Sequence, residues 1–375
     1  MKKLLSLLLI LAMVFCFAAC GNDTAVEGEQ QSEVLGFDDI DDNCESADGT
    51  YAIAMVTDVG QLKDGSFNQY TWNGCKKYAY DNGLTYKYYQ PANGANATDE
   101  DRIKAMTDAC EAGAQVIVTP GFLQETALKT VATQYPEVQF IFIDGWDLGF
   151  PNLVGVSYQE EQAGYLAGYA AVMEGFEKLG YSGGGGGTNP ACCRYGHGFA
   201  QGANAAAAEL GKTVEMRYSF EYGASFSASD DLQAMLNGWF QAGTEVCFMC
   251  GGTMFNSGVA AAEANDAYII GVDVDQSAQA AEGTVVTSAM KGLAVSVETA
   301  LAKFFDGGAV YGGSLVLGAA DDAVGLPVDT WSLANWSVED YNALFESIKS
   351  GELVVDNSGI ADPADMGLEN VTFVD

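Results

Sequence analysis

Tyr51-Ala52-Ile53-Ala54-Met55-Val56-Thr57-Asp58 is an apolar run ending on a hydroxyl and a carboxylate, and Asp64-Gly65-Ser66-Phe67-Asn68-Gln69 follows it at the head of a helix-length segment, Phe67–Asp81. A near-continuous apolar run of this length is what a strand buried on both faces looks like. The same unit recurs along the chain. Strand-like runs are expected at Tyr51–Thr57, Leu84–Tyr89, Gln115–Thr119, Val138–Ile143, Leu153–Ser157, Thr213–Tyr218, Glu245–Cys250, Ala267–Val272 and Val285–Ser288. Helical segments are expected at Phe67–Asp81, Asp99–Ala112, Gln124–Gln134, Glu160–Glu174, Tyr195–Leu210, Asp230–Ala242, Ser257–Asn265 and Lys291–Phe305. Strand and helix alternating at this spacing imply right-handed crossovers and parallel sheets covered on both faces, an α/β architecture. So many strands exceed one sheet with one topological switch, which favours two similar lobes.

Functional loops of such sheets lie beyond the carboxyl ends of the strands. Those ends carry Asp58; Ser66, Phe67 and Asn68; Pro120-Gly121-Phe122; Asp144-Gly145-Trp146; Gly251-Gly252-Thr253-Met254-Phe255; and Asp273-Val274-Asp275-Gln276. Aromatic faces stack on a ring, carboxylates accept hydrogen bonds from hydroxyls, and glycines let backbone amides approach. A neutral ring with a polyhydroxyl appendage suits that set.

The chain begins with Met1-Lys2-Lys3, an apolar stretch Leu4–Ala19 and Phe17-Ala18-Ala19-Cys20. This is the pattern of an export signal over 1–19 with a lipobox, making Cys20 the lipidated first residue of a protein anchored to the outer face of the cell membrane. Residues 20–49 are acidic and polar without a hydrophobic period, and they are expected to form a flexible tether spanning about 30 Å. Asp39, Asp41 and Asn43 imitate the start of a calcium loop, but Cys44 stands where glycine is required, so no metal site is expected. The 51 acidic against 16 basic residues give a net charge of −35, which repels polyanions and argues against nucleic-acid polymers as partners. Seven cysteines follow Cys20, an odd number that suits buried free thiols better than a disulfide scaffold.

Several stretches together resemble the basic membrane protein family of substrate-binding lipoproteins. They are Ile53–Asp58 with Asp64–Gln69, Val118-Thr119-Pro120-Gly121-Phe122, Ile143-Asp144, Gly155-Val156-Ser157, Gln162-Ala163-Gly164-Tyr165-Leu166-Ala167-Gly168 and Ile270–Gln276, over about Tyr51 to Gly325. The resemblance implies the type I periplasmic-binding-protein fold, with two lobes joined by three crossings, that captures purine nucleosides for an ABC permease. It implies lobes at 50–156 plus 280–318 and at 157–279 plus 319–375. It also makes Phe67 a platform for the base, sets Asp58 and Asn68 at polar edges of the ligand, gives the ribose hydroxyls to Asp273, and points Lys291 at the sugar. The turn after the seventh strand is longer than the family's and carries Phe255, a candidate second stacking residue.

Each assignment has a structural alternative: Phe67 as a helix staple, Asp58 as a cap, Asp144, Asp273 and Asp275 as turn residues, Phe255 as core, Lys291 as a surface residue opening a helix. Gly183–Gly187 lacks the Gly-Lys-Ser/Thr of a phosphate loop and reads as a strand-to-helix turn, while His197 reads as a surface or capping residue. Three function classes remain: a monomeric nucleoside receptor, a receptor for a sugar, flavin or signalling molecule, and an exported nucleoside hydrolase. A hydrolase would need an aspartate cluster at the first strand, and Asp58 stands alone before Val59-Gly60. The reading is therefore a non-catalytic receptor, with no cofactor expected.

Overall fold

A computed structural model describes residues 36–58 and 61–375; the expected signal, Cys20 and the tether up to residue 35 lie outside the described residues. The opening apolar run forms β1 (Ile53–Val56), buried at every position. The chain continues through α1 (Phe67–Asp81), β2 (Tyr86–Tyr89), α2 (Asp99–Glu111), β3 (Val116–Pro120), α3 (Glu125–Gln134), β4 (Gln139–Ile143) and β5 (Leu153–Tyr158). A second series follows: α4 (Glu160–Glu174), β6 (Lys178–Gly183), α5 (Pro190–Glu209), β7 (Val214–Ser219), α6 (Asp230–Gln241), β8 (Val246–Cys250), α7 (Met254–Glu263), β9 (Tyr268–Asp273) and β10 (Val285–Lys291). The last elements are α8 (Leu293–Gly307), β11 (Gly313–Leu317), β12 (Val324–Gly325), α9 (Val338–Lys349) and β13 (Val371–Val374).

The strands form two sheets, six-stranded in the order β11-β5-β4-β3-β1-β2 and seven-stranded in the order β12-β10-β9-β8-β6-β7-β13. All pairings are parallel except that of β12 with β10. The chain leaves the first sheet after β5, returns to it with β11 and leaves again for β12, which makes three crossings between two α/β lobes. The return falls later than the sequence reading placed it. Residues 285–290 pair with β9 from Ile269 to Asp273 and Lys291 pairs with Val324 of β12, so the boundary expected at 280 moves to Gly292, and Lys291 ends a strand of the second sheet rather than opening a helix.

Four strands, β6, β11, β12 and β13, were not expected from the sequence, two of them for identifiable reasons. β6, Lys178-Leu179-Gly180-Tyr181-Ser182-Gly183, is rich in glycine and serine, poor strand formers by propensity, yet it lies between β7 and β8 with five of its six residues buried. β13 is a short edge strand whose partner, β7, is far off in sequence. The helices are better marked. Thr98 and Asp101 form a capping box at α2, and Asn189 with Pro190 opens α5. His197 therefore sits inside α5, where burial lowers the basicity of its imidazole, instead of at a surface or cap.

The tether also ends earlier than expected. Ile40 is buried, Asp42 pairs with Lys63 at 3.0 Å and with the buried Lys76 at 3.2 Å, and Cys44 exchanges backbone hydrogen bonds of 2.9 Å with Tyr86. One apolar side chain, one ion-pair network and a sheet edge are enough to order Phe37–Gly49 without periodicity. Of the cysteines among the described residues, Cys44 is exposed and the other six are buried, all free.

α4 and α5 pack closely because each presents glycines to the other's backbone. A Cβ on Gly168 would lie 2.0 Å from the Phe199 carbonyl oxygen, and one on Gly202 would lie 1.9 Å from that of Tyr165. This accounts for the Gly164-Tyr165-Leu166-Ala167-Gly168 stretch as packing rather than recognition. Gly202→Ala is expected to destabilise the protein by about 1–3 kcal/mol, the usual cost of overpacking. Urea denaturation would measure it; an unchanged midpoint would mean that the helices separate freely.

Candidate functional site

In each sheet the chain reverses its direction of growth beside a central strand, β1 in the first and β6 in the second, which is where open α/β sheets place ligands. A cavity of about 580 Å³ lies there between the lobes. The first lobe lines it with Asp58, Phe67, Asn68, Phe122 and Asp144, and the second with Tyr195, Phe226, Gly252, Asp273 and Lys291. Ser66 is buried behind this wall and donates to Asp273 Oδ2 at 2.6 Å across the lobes. Of the sequence candidates, Ser66 and Phe255 do not line the cavity, and Phe255 lies away from it altogether. It packs fully buried against Leu232, Leu236, Met249 and Met254, because the helix begins at Met254 and turns the ring into the core.

The carboxylates divide their work. Asp64 accepts from the backbone amides of Ser66, Asn68 and Gln69 at 2.9–3.1 Å, so it fixes the first turn of α1. Asp58 accepts from Asn68 Nδ2 at 3.1 Å instead. Gly121 keeps it in place: its φ of +90° suits glycine, and any Cβ there would lie 2.5 Å from Asp58 Oδ2. Asp275 faces away, accepting from Ser277 N and Thr330 Oγ1, as a turn residue would.

Lys291 is the electrostatic centre. Its Nζ lies 2.7 Å from Asp144 Oδ2, 3.4 Å from Asp273 Oδ1 and 4.7 Å from the centre of the Phe67 ring. Burial alone would favour the neutral amine, but Asp144, Asp273 and Glu160 outweigh it and hold the ammonium charged. Glu160, itself buried, pairs with Arg194 Nε at 2.6 Å. Asp144 (φ +55°) and Asp273 (φ +68°) hold left-handed backbone conformations uncommon outside glycine, a strain that concentrates at functional sites.

Burial pushes Asp64 and Asp144 up to about 6, against amide hydrogen bonds in one case and Lys291 in the other, and pushes Glu161 up to about 7. These carboxyls bind protons more tightly folded than unfolded, so stability rises as pH falls from about 7.5 toward 5. His197, with its basicity lowered, acts oppositely below its unfolded value, but it is one group against three. Melting curves should therefore show a higher Tm near pH 5.5 than at pH 7.5; a maximum at pH 7.5 would contradict the buried carboxyls.

Residues 52–358 match the family described as "Bmp: ABC transporter substrate-binding protein PnrA-like". The chain belongs to this family. It is 26% identical over 343 residues to the "CD4+ T-cell-stimulating antigen" of Listeria monocytogenes, covering 86% of this chain and 89% of that one. It is 25% identical over 236 residues to the "ABC transporter nucleoside-binding protein BmpA" of Lactococcus lactis, covering 60% and 64%. In fold it is similar to an ABC transporter solute-binding protein from Aeropyrum pernix, with a TM-score of 0.65, 22% identity and coverage of 81% and 93%. The chain is thus a two-lobed ABC substrate-binding protein of the basic membrane protein family.

In this substrate-binding protein sequence reading missed Tyr195, in the first turns of α5, and Phe226, on the loop between β7 and α6; Phe226 is the more informative. It holds φ +55°, and its carbonyl oxygen accepts from Thr253 N at 3.1 Å, which ties the loop to the turn after β8. The loop follows the carboxyl end of β7, the strand end that the search for site residues passed over. A phenylalanine among Gly223, Ala224, Ser225 and Ser227, with no periodic pattern to bury it, was the available signal.

Proposed function

We propose that the cavity binds a purine nucleoside, delivered to an ABC permease by a monomeric receptor held on the outer face of the membrane through lipid on Cys20. The observation that carries this reading is a set of buried polar atoms on the cavity wall, Asn68 Oδ1, Asp144 Oδ1 and Tyr195 Oη, that lack hydrogen-bond partners among the described residues. Such atoms are costly unless a ligand satisfies them. Phe67 and Phe226 supply apolar faces for a base, Asp273 is an acceptor for ribose hydroxyls, and a cavity of this size is typical for small ligands. The name of the Lactococcus lactis relative supports the same ligand class.

The reading assigns the second stacking face to Phe226 in place of Phe255. Adenosine, guanosine and inosine should raise the melting temperature, with about 2.7 kcal/mol of stabilisation at one hundred times the dissociation constant. Uridine, ribose and riboflavin serve as comparisons. Phe226→Ala should weaken nucleoside binding by roughly 1–3 kcal/mol, the usual worth of an aromatic–base stack. A shift with ribose or riboflavin alone would overturn the ligand class.

A further inference from the structure

We propose that Cys192 and Cys250 form a dithiol in the wall of the cavity that closes to a disulfide under thiol–disulfide exchange, a modification site that remodels the ligand pocket. Cys250 is the last residue of β8, and Cys192 lies in the first turn of α5; both line the cavity. The Cys192 Sγ lies 3.7 Å from the Cys250 carbonyl oxygen, so its thiol rests against the residue that carries the other. Neither is paired in this structure.

The surrounding backbone fixes the pair. Asn189 Oδ1 accepts from Cys192 N at 2.9 Å, the Tyr181 hydroxyl donates to the Cys192 carbonyl oxygen at 2.5 Å, and Gly184 N donates to the Cys250 carbonyl oxygen at 2.8 Å. Cys193, the next residue along, is turned away, with its thiol donating to Gly187 O at 3.4 Å. Cys192 is the more exposed of the two, 6% against 1% for Cys250, and burial disfavours the Cys250 thiolate, which assigns the first attack to Cys192.

The co-reactant is a small disulfide that enters through the cleft. Cys192 Sγ loses its proton to water and attacks one sulfur of that disulfide, breaking its S–S bond and releasing one thiol. Cys250 Sγ then gives up its proton and attacks Cys192 Sγ, expelling the second thiol. The protein loses two electrons and two protons, and the small disulfide gains them as two thiols. Bringing the sulfurs to the bonded distance of about 2.05 Å draws the start of α5 toward the end of β8. The cavity wall from Asn189 to Cys192 and from Cys250 to Thr253 moves with it.

The test incubates the protein with oxidised glutathione, then combines intact mass with peptide mapping under non-reducing conditions. The expected result is loss of two hydrogen atoms and a cross-linked peptide pair joining Cys192 to Cys250. Cys192→Ala and Cys250→Ala should abolish the cross-link, and Cys193→Ala should retain it. Stable glutathione adducts alone, a Cys192–Cys193 bond, or all six buried thiols still free after treatment that oxidises the urea-unfolded protein would each overturn the proposal. The oxidised protein should also bind nucleoside about tenfold more weakly, with recovery on reduction. That last arm rests on the nucleoside reading, whereas the mass measurement does not, so failure of one is distinguishable from failure of the other.

Discussion

Lys291→Met is expected to remove about 3–5 kcal/mol of unfolding free energy at pH 7.5, the cost of taking one partner from a buried ion pair. The ammonium is nearly inaccessible and serves Asp144 at 2.7 Å and Asp273 at 3.4 Å, with Glu160 adding to the field. Methionine retains most of the side-chain volume, so the loss reports charge and not a cavity. Without Lys291 the three carboxylates repel one another in a poorly solvated space, and Asp144, already raised to about 6 by burial, moves higher. Its proton is then bound more tightly in the folded state, so part of the lost stability returns as pH falls below that value. Denaturant titrations of both proteins at pH 7.5 and 5.5 would measure this. A penalty below about 1 kcal/mol, or one that grows on acidification, would show that the ammonium is not the counter-charge of this cluster.

Much of the fold was legible because buried parallel strands announce themselves as apolar runs, and β1, β3, β4, β8 and β9 all did so within a residue or two. The same rule hid β6, whose glycines and serine are tolerated only because β7 and β8 clamp it on both sides. It also hid the docking of Phe37–Gly49, which rests on partners such as Lys76 and Tyr86 that no local pattern reveals. The site was legible where chemistry sits at a strand end: Asp58, Asp144 and Asp273 each follow or finish an apolar run. Phe255 misled because helix and loop give a phenylalanine opposite fates, and the start of α7 at Met254 decided between them. Glu160 and Glu161 open α4, where acids favour the helix N-terminus and are usually solvated. Their burial depends on Arg194 and on the close approach of α4 to α5, neither of which is a property of the Glu-Glu pair itself.

Asp273→Ala is expected to weaken nucleoside binding by about 3–6 kcal/mol, roughly a hundredfold to ten-thousandfold or more, if each of two ribose hydroxyls loses a charged acceptor worth about 1.5–3 kcal/mol. The carboxylate is well placed to accept from both, since it ends β9, is fixed by Ser66 from the opposite lobe and pairs with Lys291 at 3.4 Å. Alanine also fits the local backbone poorly, because φ +68° is left-handed and costs a residue without a polar side chain of order 1 kcal/mol. Asp273→Asn separates these effects, as asparagine tolerates that conformation and keeps one acceptor oxygen while losing the charge. Its affinity should fall between the two. Calorimetric titration gives the binding term, and denaturant unfolding of each variant gives the folding term to set beside it. Because Asp273 joins the lobes through Ser66, its loss should also blunt the decrease in radius of gyration that scattering detects on saturation, as expected when a ligand closes the lobes only through contacts made to both. Variants that stay folded, bind adenosine, guanosine and inosine as the unmodified protein does, and compact equally would remove Asp273 from recognition and leave it a turn residue beside a buried lysine.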